Sequence, residues 1–227
     1  MQSQHVDEFN HDPWAAGYDE DVRNEADPIR AGYAAVLDWV VASAQIQPQD
    51  VVIDLGIGTG NTSQRIAAAQ ELIGVDISTH MMALARPKLA HLPQVTLVQA
   101  DLLGFFAQRQ RHCDALFSTY AIHHLTDDEK ALLFRQIWQA LAPGRRAVFG
   151  DLMFADAAAQ SEITQKYAAA GDSEMVETFA EEFFWQLDLA TYALHQANFH
   201  LVEVKRFSEL SWGVCVEKPI KKHIENM

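Results

Sequence analysis

Three carboxylates and a run of glycines carry the spacing that points to chemistry. Asp54-Leu55-Gly56-Ile57-Gly58-Thr59-Gly60-Asn61 follows a short apolar run. Glycines there permit positive φ and let a ligand approach the backbone. A dinucleotide site asks for GxGxxG, which from Gly56 needs glycine at 61, where this chain has Asn61. Asp54 is a poor neighbour for a pyrophosphate and a good one for a cation. Asp76 lies 20 residues beyond Gly56 and Asp101 lies 25 beyond Asp76, with Leu102 next to it. A carboxylate at the first place accepts from both ribose hydroxyls, and one at the second accepts from an exocyclic amine beside an apolar wall. Together they fit an adenosine-bearing ligand that is cationic and lacks phosphate. Each acid also has a plainer reading as a helix cap, Asp76 with Ser78 and Asp101 before Leu102.

His123-His124 is the other pair able to do chemistry. An imidazole near its usual pKa of about 6.5 takes a proton from a hydroxyl or amine. The alternative is that His-His-Leu packs its loop on the next helix and shapes a pocket. His123 is the candidate catalytic residue, and Tyr120, His123 and His124 are the expected substrate-pocket wall. Cys113 and Cys215 fall inside predicted strands and read as buried core thiols. Two cysteines make neither a disulfide framework nor a CxxC metal pair, and no metal site is expected. Phe179-Ala180-Glu181-Glu182-Phe183-Phe184-Trp185 reads equally as a roof for the substrate pocket or as helix packing. Asp19, Glu20 and Asp21 read as a solvated face.

The elements that must position these residues alternate. Val51–Leu55, Leu72–Asp76, Val95–Val98, Cys113–Ser118 and Ala147–Gly150 have the β-branched, apolar look of buried parallel strands. Helices are predicted between them, over Thr62–Ala69, after Ser78 (with Met81, Met82, Leu84, Ala85 and Leu89 inward), and from Thr126 to Pro143-Gly144. Helical composition continues over about 155–182 and Leu187–Ala197. Leu201–Phe207 and Trp212–Val216 then follow with no helix between, so they are antiparallel. The fold class is α/β: a mostly parallel, Rossmann-like sheet ending in an antiparallel hairpin, with helices on both faces. In such a sheet the loops after the strands form the ligand crevice.

An adenosine-bearing cation of the required kind is S-adenosylmethionine. DLGIGTGN, then GVDIS, then QADLL resembles the signature set of class I S-adenosylmethionine-dependent methyltransferases, small-molecule type, in a bacterial branch. The likeness covers roughly residues 8 to 217. Pro13-Trp14-Ala15-Ala16-Gly17-Tyr18-Asp19 is similar to the lead-in that packs over the cofactor as a lid, and Ser118–Leu125 to the loop facing the methionine end. The resemblance implies a seven-stranded sheet whose last strand is inserted between its neighbours. It implies that Gly56 and Gly58 lie against the methionine part, that Asp54 orients the ammonium through water or backbone, that Asp76 holds the ribose with Ile77 against the adenine, and that Asp101 and Leu102 hold the adenine. Met81 and Thr119 join that set, and Tyr18 and Trp14 close the pocket. S-adenosylhomocysteine is the implied product. Ile57 between two glycines departs from the usual small or polar residue and is expected to point back into the sheet.

The chain has 227 residues, 31 Asp+Glu against 17 Lys+Arg, and a formal net charge of -14. That suits a single domain: 1–48 as lid and helix, 49–150 as cofactor core, 151–198 as helical insert and last helix, and 199–227 as hairpin and tail. A body so acidic, with no basic run, argues against a nucleic-acid partner. No Pro-Cys or Asn-Pro-Pro-Tyr/Phe motif follows the fourth strand, which argues against nucleobase methylation. No apolar stretch approaches the roughly 20 residues of a membrane span, and the N-terminus lacks a signal-peptide pattern. The expectation is a cytoplasmic monomer or homodimer acting on a small molecule. Two other readings stand beside methyl transfer: a non-catalytic binder of S-adenosylmethionine or S-adenosylhomocysteine, and a nicotinamide-dependent oxidoreductase.

Overall fold

The computed structural model describes residue 3, residues 15–108 and residues 112–220; Trp14 lies outside the described residues. The strands are β1 (Val51–Leu55), β2 (Glu71–Asp76), β3 (Val95–Gln99), β4 (Cys113–Thr119), β5 (Leu141–Phe154), β6 (Trp185–Gln186), β7 (His200–Arg206) and β8 (Ser211–Glu217). The helices are α1 (Ala15–Asp21), α2 (Tyr33–Ala44), α3 (Thr79–Lys88), α4 (Leu102–Gln108), α5 (Asp127–Ala140), α6 (Ala157–Ala170), α7 (Ser173–Glu181) and α8 (Leu187–Gln196). The sheet runs β3-β2-β1-β4-β5-β8-β7, with the two-residue β6 paired to the end of β5. β1 to β5 are parallel, and β8 is antiparallel to both β5 and β7, so the last strand is inserted between its neighbours as expected. The order reverses between β1 and β4, which opens a crevice beyond their carboxyl ends.

Alternation along the strands feeds a core on each face. Val52, Leu72, Phe117 and Val148 face one cluster, shared with α2 and α3. Ile53, Ile73, Leu116 and Phe149 face the other, shared with α4, α5 and α8. Two paired glycines beneath helix α2 leave room for its side chains against the sheet. Gly150 of β5 is in register with Gly213 of β8. A Cβ on Gly150 would meet Val36 Cγ1 at 2.4 Å, and one on Gly213 would meet the Trp39 ring at 2.3 Å.

Local capping sets the helix starts. Ser78 Oγ accepts from Met81 N–H at 3.0 Å. Thr126 and Glu129 form a capping box at the acidic start of α5. Three local expectations are corrected. Residues 62–69 form only a 3-10 turn at Ser63–Arg65, after which Ile66 is extended (φ -68, ψ 121). A helix over those eight residues would rise about 12 Å, short of the roughly 16 Å spanned by a five-residue strand, so the chain must stretch to regain the start of β2. Pro143-Gly144 lies inside β5, at a register shift in its pairing with β4, rather than ending α5. Leu84 is exposed, while Met81, Met82, Ala85 and Leu89 are buried. Among the described residues no helix is long and apolar enough to cross a membrane.

Candidate active site

The loop after β1 lines a cavity. Gly56 has φ +75, and a Cβ there would meet the Ala121 Cβ at 2.3 Å. Gly58 has φ +53, and a Cβ there would meet nothing within 4 Å. Both are conformations that side chains disfavour, and the space over Gly58 is open. Ile57 turns inward: it is 4% exposed and packs on Gly74 of β2, where a Cβ would meet its Cδ1 at 2.3 Å.

The acids at the strand ends differ in what they hold. Asp76 Oδ2 accepts from Gly58 N–H at 2.7 Å and Oδ1 from Ser78 N–H at 2.8 Å, so it ties the glycine loop to β2 and caps the next turn. Asp101 Oδ1 accepts from Leu103 N–H and Gly104 N–H, both at 3.1 Å, and from Ser3 N–H at 3.2 Å. Both acids thus have the capping role anticipated for them, with a carboxylate oxygen accepting from the N–H groups that open the next turn. Asp54 is placed differently. It is 1% exposed, lies beneath the loop outside the cavity wall, and its Oδ2 accepts from Ser63 Oγ at 2.6 Å. Its Oδ1 is buried without a hydrogen-bond partner. Burial, despite the Ser63 bond and with the Asp76 charge adding to it, pushes the Asp54 carboxyl up to about 7.

The ends of β4 and β5 supply the other wall. Tyr120 has φ +49, an outlier for a bulky residue of the kind that gathers at functional sites. Its ring stacks on Tyr33 at 5.1 Å and its hydroxyl bonds Ser211 Oγ at 3.2 Å. Burial pushes the phenols of Tyr18, Tyr33 and Tyr120 up, so they remain neutral hydroxyls. His123 and His124 lie on a 3-10 turn at residues 122–124. His123 Nδ1 lies 2.5 Å from Asp151 Oδ1, and its Nε2 lies 3.4 Å from Glu182 Oε2. Burial opposes the imidazolium, but the Asp151 and Glu182 carboxylates together outweigh it and raise the His123 pKa.

One cavity is lined by Gly56, Gly58, Asp76, Ile77, Met81, Asp101, Leu102, Thr119, Tyr18, Tyr120, His123 and His124. The structure thus brings together the anticipated site residues, apart from Asp54 and the undescribed Trp14. The sequence reading missed Arg30, Tyr33, Thr59, Asn61 and Glu182, which also line it. Asp151 was missed too, although it carried a usable signal as a fourth acid following a strand's apolar run. Asp19 corrects the solvated-face expectation. It accepts from Thr59 Oγ1 at 2.6 Å, Asn61 Nδ2 at 3.0 Å and Lys88 Nζ at 2.6 Å, so α1 is fastened to the glycine loop.

Comparison with known proteins agrees with this geometry. Residues 52–144 match the family model described as a methyltransferase domain. An uncharacterized methyltransferase of Oceanobacillus iheyensis is 31% identical over 222 residues, covering 96% of this chain and 99% of that protein. The fold is similar to magnesium protoporphyrin IX methyltransferase from Synechocystis PCC 6803 with bound S-adenosylhomocysteine (TM-score 0.67, 20% identity, 94% of this chain and 97% of that one). It is also similar to the N-methyltransferase NodS of Bradyrhizobium japonicum WM9 in complex with S-adenosylhomocysteine (TM-score 0.62, 16% identity, 96% and 98%). The strand order, the glycine loop with its strand-end acids, and a relative matched nearly end to end converge, and the chain belongs to the class I S-adenosylmethionine-dependent methyltransferases.

Proposed function

We propose that this methyltransferase acts on a small-molecule acceptor by in-line displacement within the cavity at the carboxyl ends of β1 to β5. The observation that carries the reading is the order of the cavity's walls. Asp101 follows β3, Asp76 ends β2, the glycine loop follows β1, and Thr119 ends β4 with Tyr120 to His124 after it, in the sequence of the sheet itself. A ligand laid across that edge meets the acids first and the tyrosines and histidines last. The open backbone at Gly58 and the strand-end carboxylates fit S-adenosylmethionine. Asp101 and Leu102 would hold the adenine, Asp76 and Ile77 the ribose, and Gly56 and Gly58 the methionine part, with Met81 and Thr119 beside them. Asp54 lies behind the loop and would act on it through Ser63. The bound cofactor supplies a methyl group on a good leaving group, the sulfonium.

The chain's own residues then orient the acceptor and exclude water, and alignment of this kind supplies much of the acceleration. Tyr18 and Tyr120 wall the acceptor end. His123 presents Nε2 there, and Asp151 fixes the ring through Nδ1. These walls would hold the acceptor atom behind the methyl, opposite the sulfur, the alignment that in-line displacement requires. The acidic body supports a metabolite over a polyanion. The test is incubation of the protein with methyl-labelled S-adenosylmethionine and whole-cell extract, followed by separation of metabolites, nucleic acid and protein. Label is expected in one small-molecule fraction. Label only in nucleic acid or protein would overturn the acceptor class.

A further inference from the structure

We propose that His123, His124 and Glu182 form a binding site for a divalent first-row transition-metal ion at the acceptor end of the cavity. The three ligand atoms, two imidazole nitrogens and a carboxylate oxygen, lie within 4.8 Å of one another. They come from two elements whose register is fixed. Phe183 N–H donates to the His123 carbonyl at 3.0 Å, which sets Glu182, just past the end of α7, beside the 122–124 turn. His123 Nε2 and Glu182 Oε2 are 3.4 Å apart. Two ligand atoms each about 2.1 Å from a tetrahedral ion stand about 3.4 Å apart, so this pair is already at metal-binding separation. A side-chain rotation of the half-buried His124 completes the set.

The surroundings of His123 are those of a metal ligand. An imidazole that binds a metal through one nitrogen usually donates its other N–H to a carboxylate, which fixes tautomer and orientation. Here that carboxylate is Asp151. It is held in turn by the N–H groups of Ile122 (3.0 Å), His123 (3.2 Å) and Leu152 (2.9 Å), and by Trp185 Nε1 (3.2 Å). The nearby cation, Lys130, is engaged by the Phe183 carbonyl at 2.7 Å and by Asp127 at 3.2 Å and is not part of the cavity wall. Two nitrogens and one oxygen suit zinc, cobalt, nickel or iron(II) better than magnesium or calcium. Three protein ligands leave a position open toward the cavity. An ion there lowers the pKa of a hydroxyl or thiol that binds it, the proton passing to solvent; His123 is then a ligand and not a base. That role rests on the proposed acceptor site, whereas ion binding does not.

The test is titration of the full-length, chelator-stripped protein with Co2+, read by its visible absorption, followed by displacement with Zn2+. One Co2+ per chain is expected, released by Zn2+. Glu182→Gln and His124→Ala should each weaken Co2+ at least tenfold, the scale on which metal-site residues act. S-adenosylhomocysteine affinity should change less than about threefold in both. Both positions are partly exposed, and a cooperative melt of the stripped variants checks their fold. Wild-type protein that takes up no stoichiometric Co2+, or variants that bind it as tightly as wild type, would overturn the proposal. Co2+ binding with no S-adenosylhomocysteine binding would instead uphold the ion site and overturn the assignment of the cavity to the cofactor.

Discussion

At the scale of single residues, the acids at the ends of β1 and β2 separate by what their oxygens meet. Asp76 accepts at both oxygens, from Gly58 N–H at one and from Ser78 N–H at the other. Asp76→Ala is expected to weaken S-adenosylhomocysteine by tenfold or more in calorimetry, the scale of a lost charge-assisted pair of bonds; unchanged affinity would remove Asp76 from the site. Asp54 is buried with the Ser63 hydroxyl on one oxygen, and burial, with the Asp76 charge adding to it, pushes its carboxyl up to about 7. The unfolded chain releases this proton near pH 4 and the folded chain near pH 7. Across that window the folded state binds more protons, so the stability contributed by Asp54 falls as pH rises. Asp54→Asn does not titrate. Urea unfolding should show the variant gaining on wild type between about pH 4 and 7, with a constant difference above; parallel profiles would mean that Asp54 is ionised in the fold. The acids were legible because each closes a strand's apolar run. Asp54's turn away from the cavity was not, since it depends on Ser63 curling beneath the loop.

At the scale of elements, start signals were readable wherever they were local. Ser78 and the Thr126–Glu129 box start their helices where their side chains reach the first free N–H groups. The stretch after the glycine loop misled because its alanines favour helix while the sheet requires length. Thr126→Ala is expected to cost about 1 kcal/mol in urea unfolding, the usual worth of such a cap, and to leave cofactor affinity unchanged. The Gly150–Gly213 seat for α2 was invisible, because the two positions meet only once β8 inserts beside β5. Gly213→Ala drives a methyl into the Trp39 ring and should cost about 1–3 kcal/mol by overpacking. A neutral result would show that α2 moves away freely.

At the scale of the whole molecule, the cavity is assembled from parts far apart in the chain. Asp19 of α1 holds Thr59, Asn61 and Lys88, so the lead-in is fastened across the loop that faces the ligand. Neither this latch nor the meeting of His123 with Asp151 and Glu182 shows in any local pattern; each depends on the order of strands. The strand-end acids were found from spacing, and the cavity wall at the end of β4 was found only in part, because Glu182 resembles its neighbour Glu181 until the fold sets it beside an imidazole. Asp19→Ala should loosen α1, seen as faster cleavage within residues 15–21 in limited proteolysis; equal rates would mean that the latch holds nothing. The central claim is that one cavity takes a phosphate-free adenosine ligand across the ends of β3, β2 and β1. Isothermal titration of the intact protein with S-adenosylhomocysteine and, separately, with NAD tests it most directly. The account predicts one S-adenosylhomocysteine per chain and no NAD heat; NAD binding without S-adenosylhomocysteine binding would contradict it.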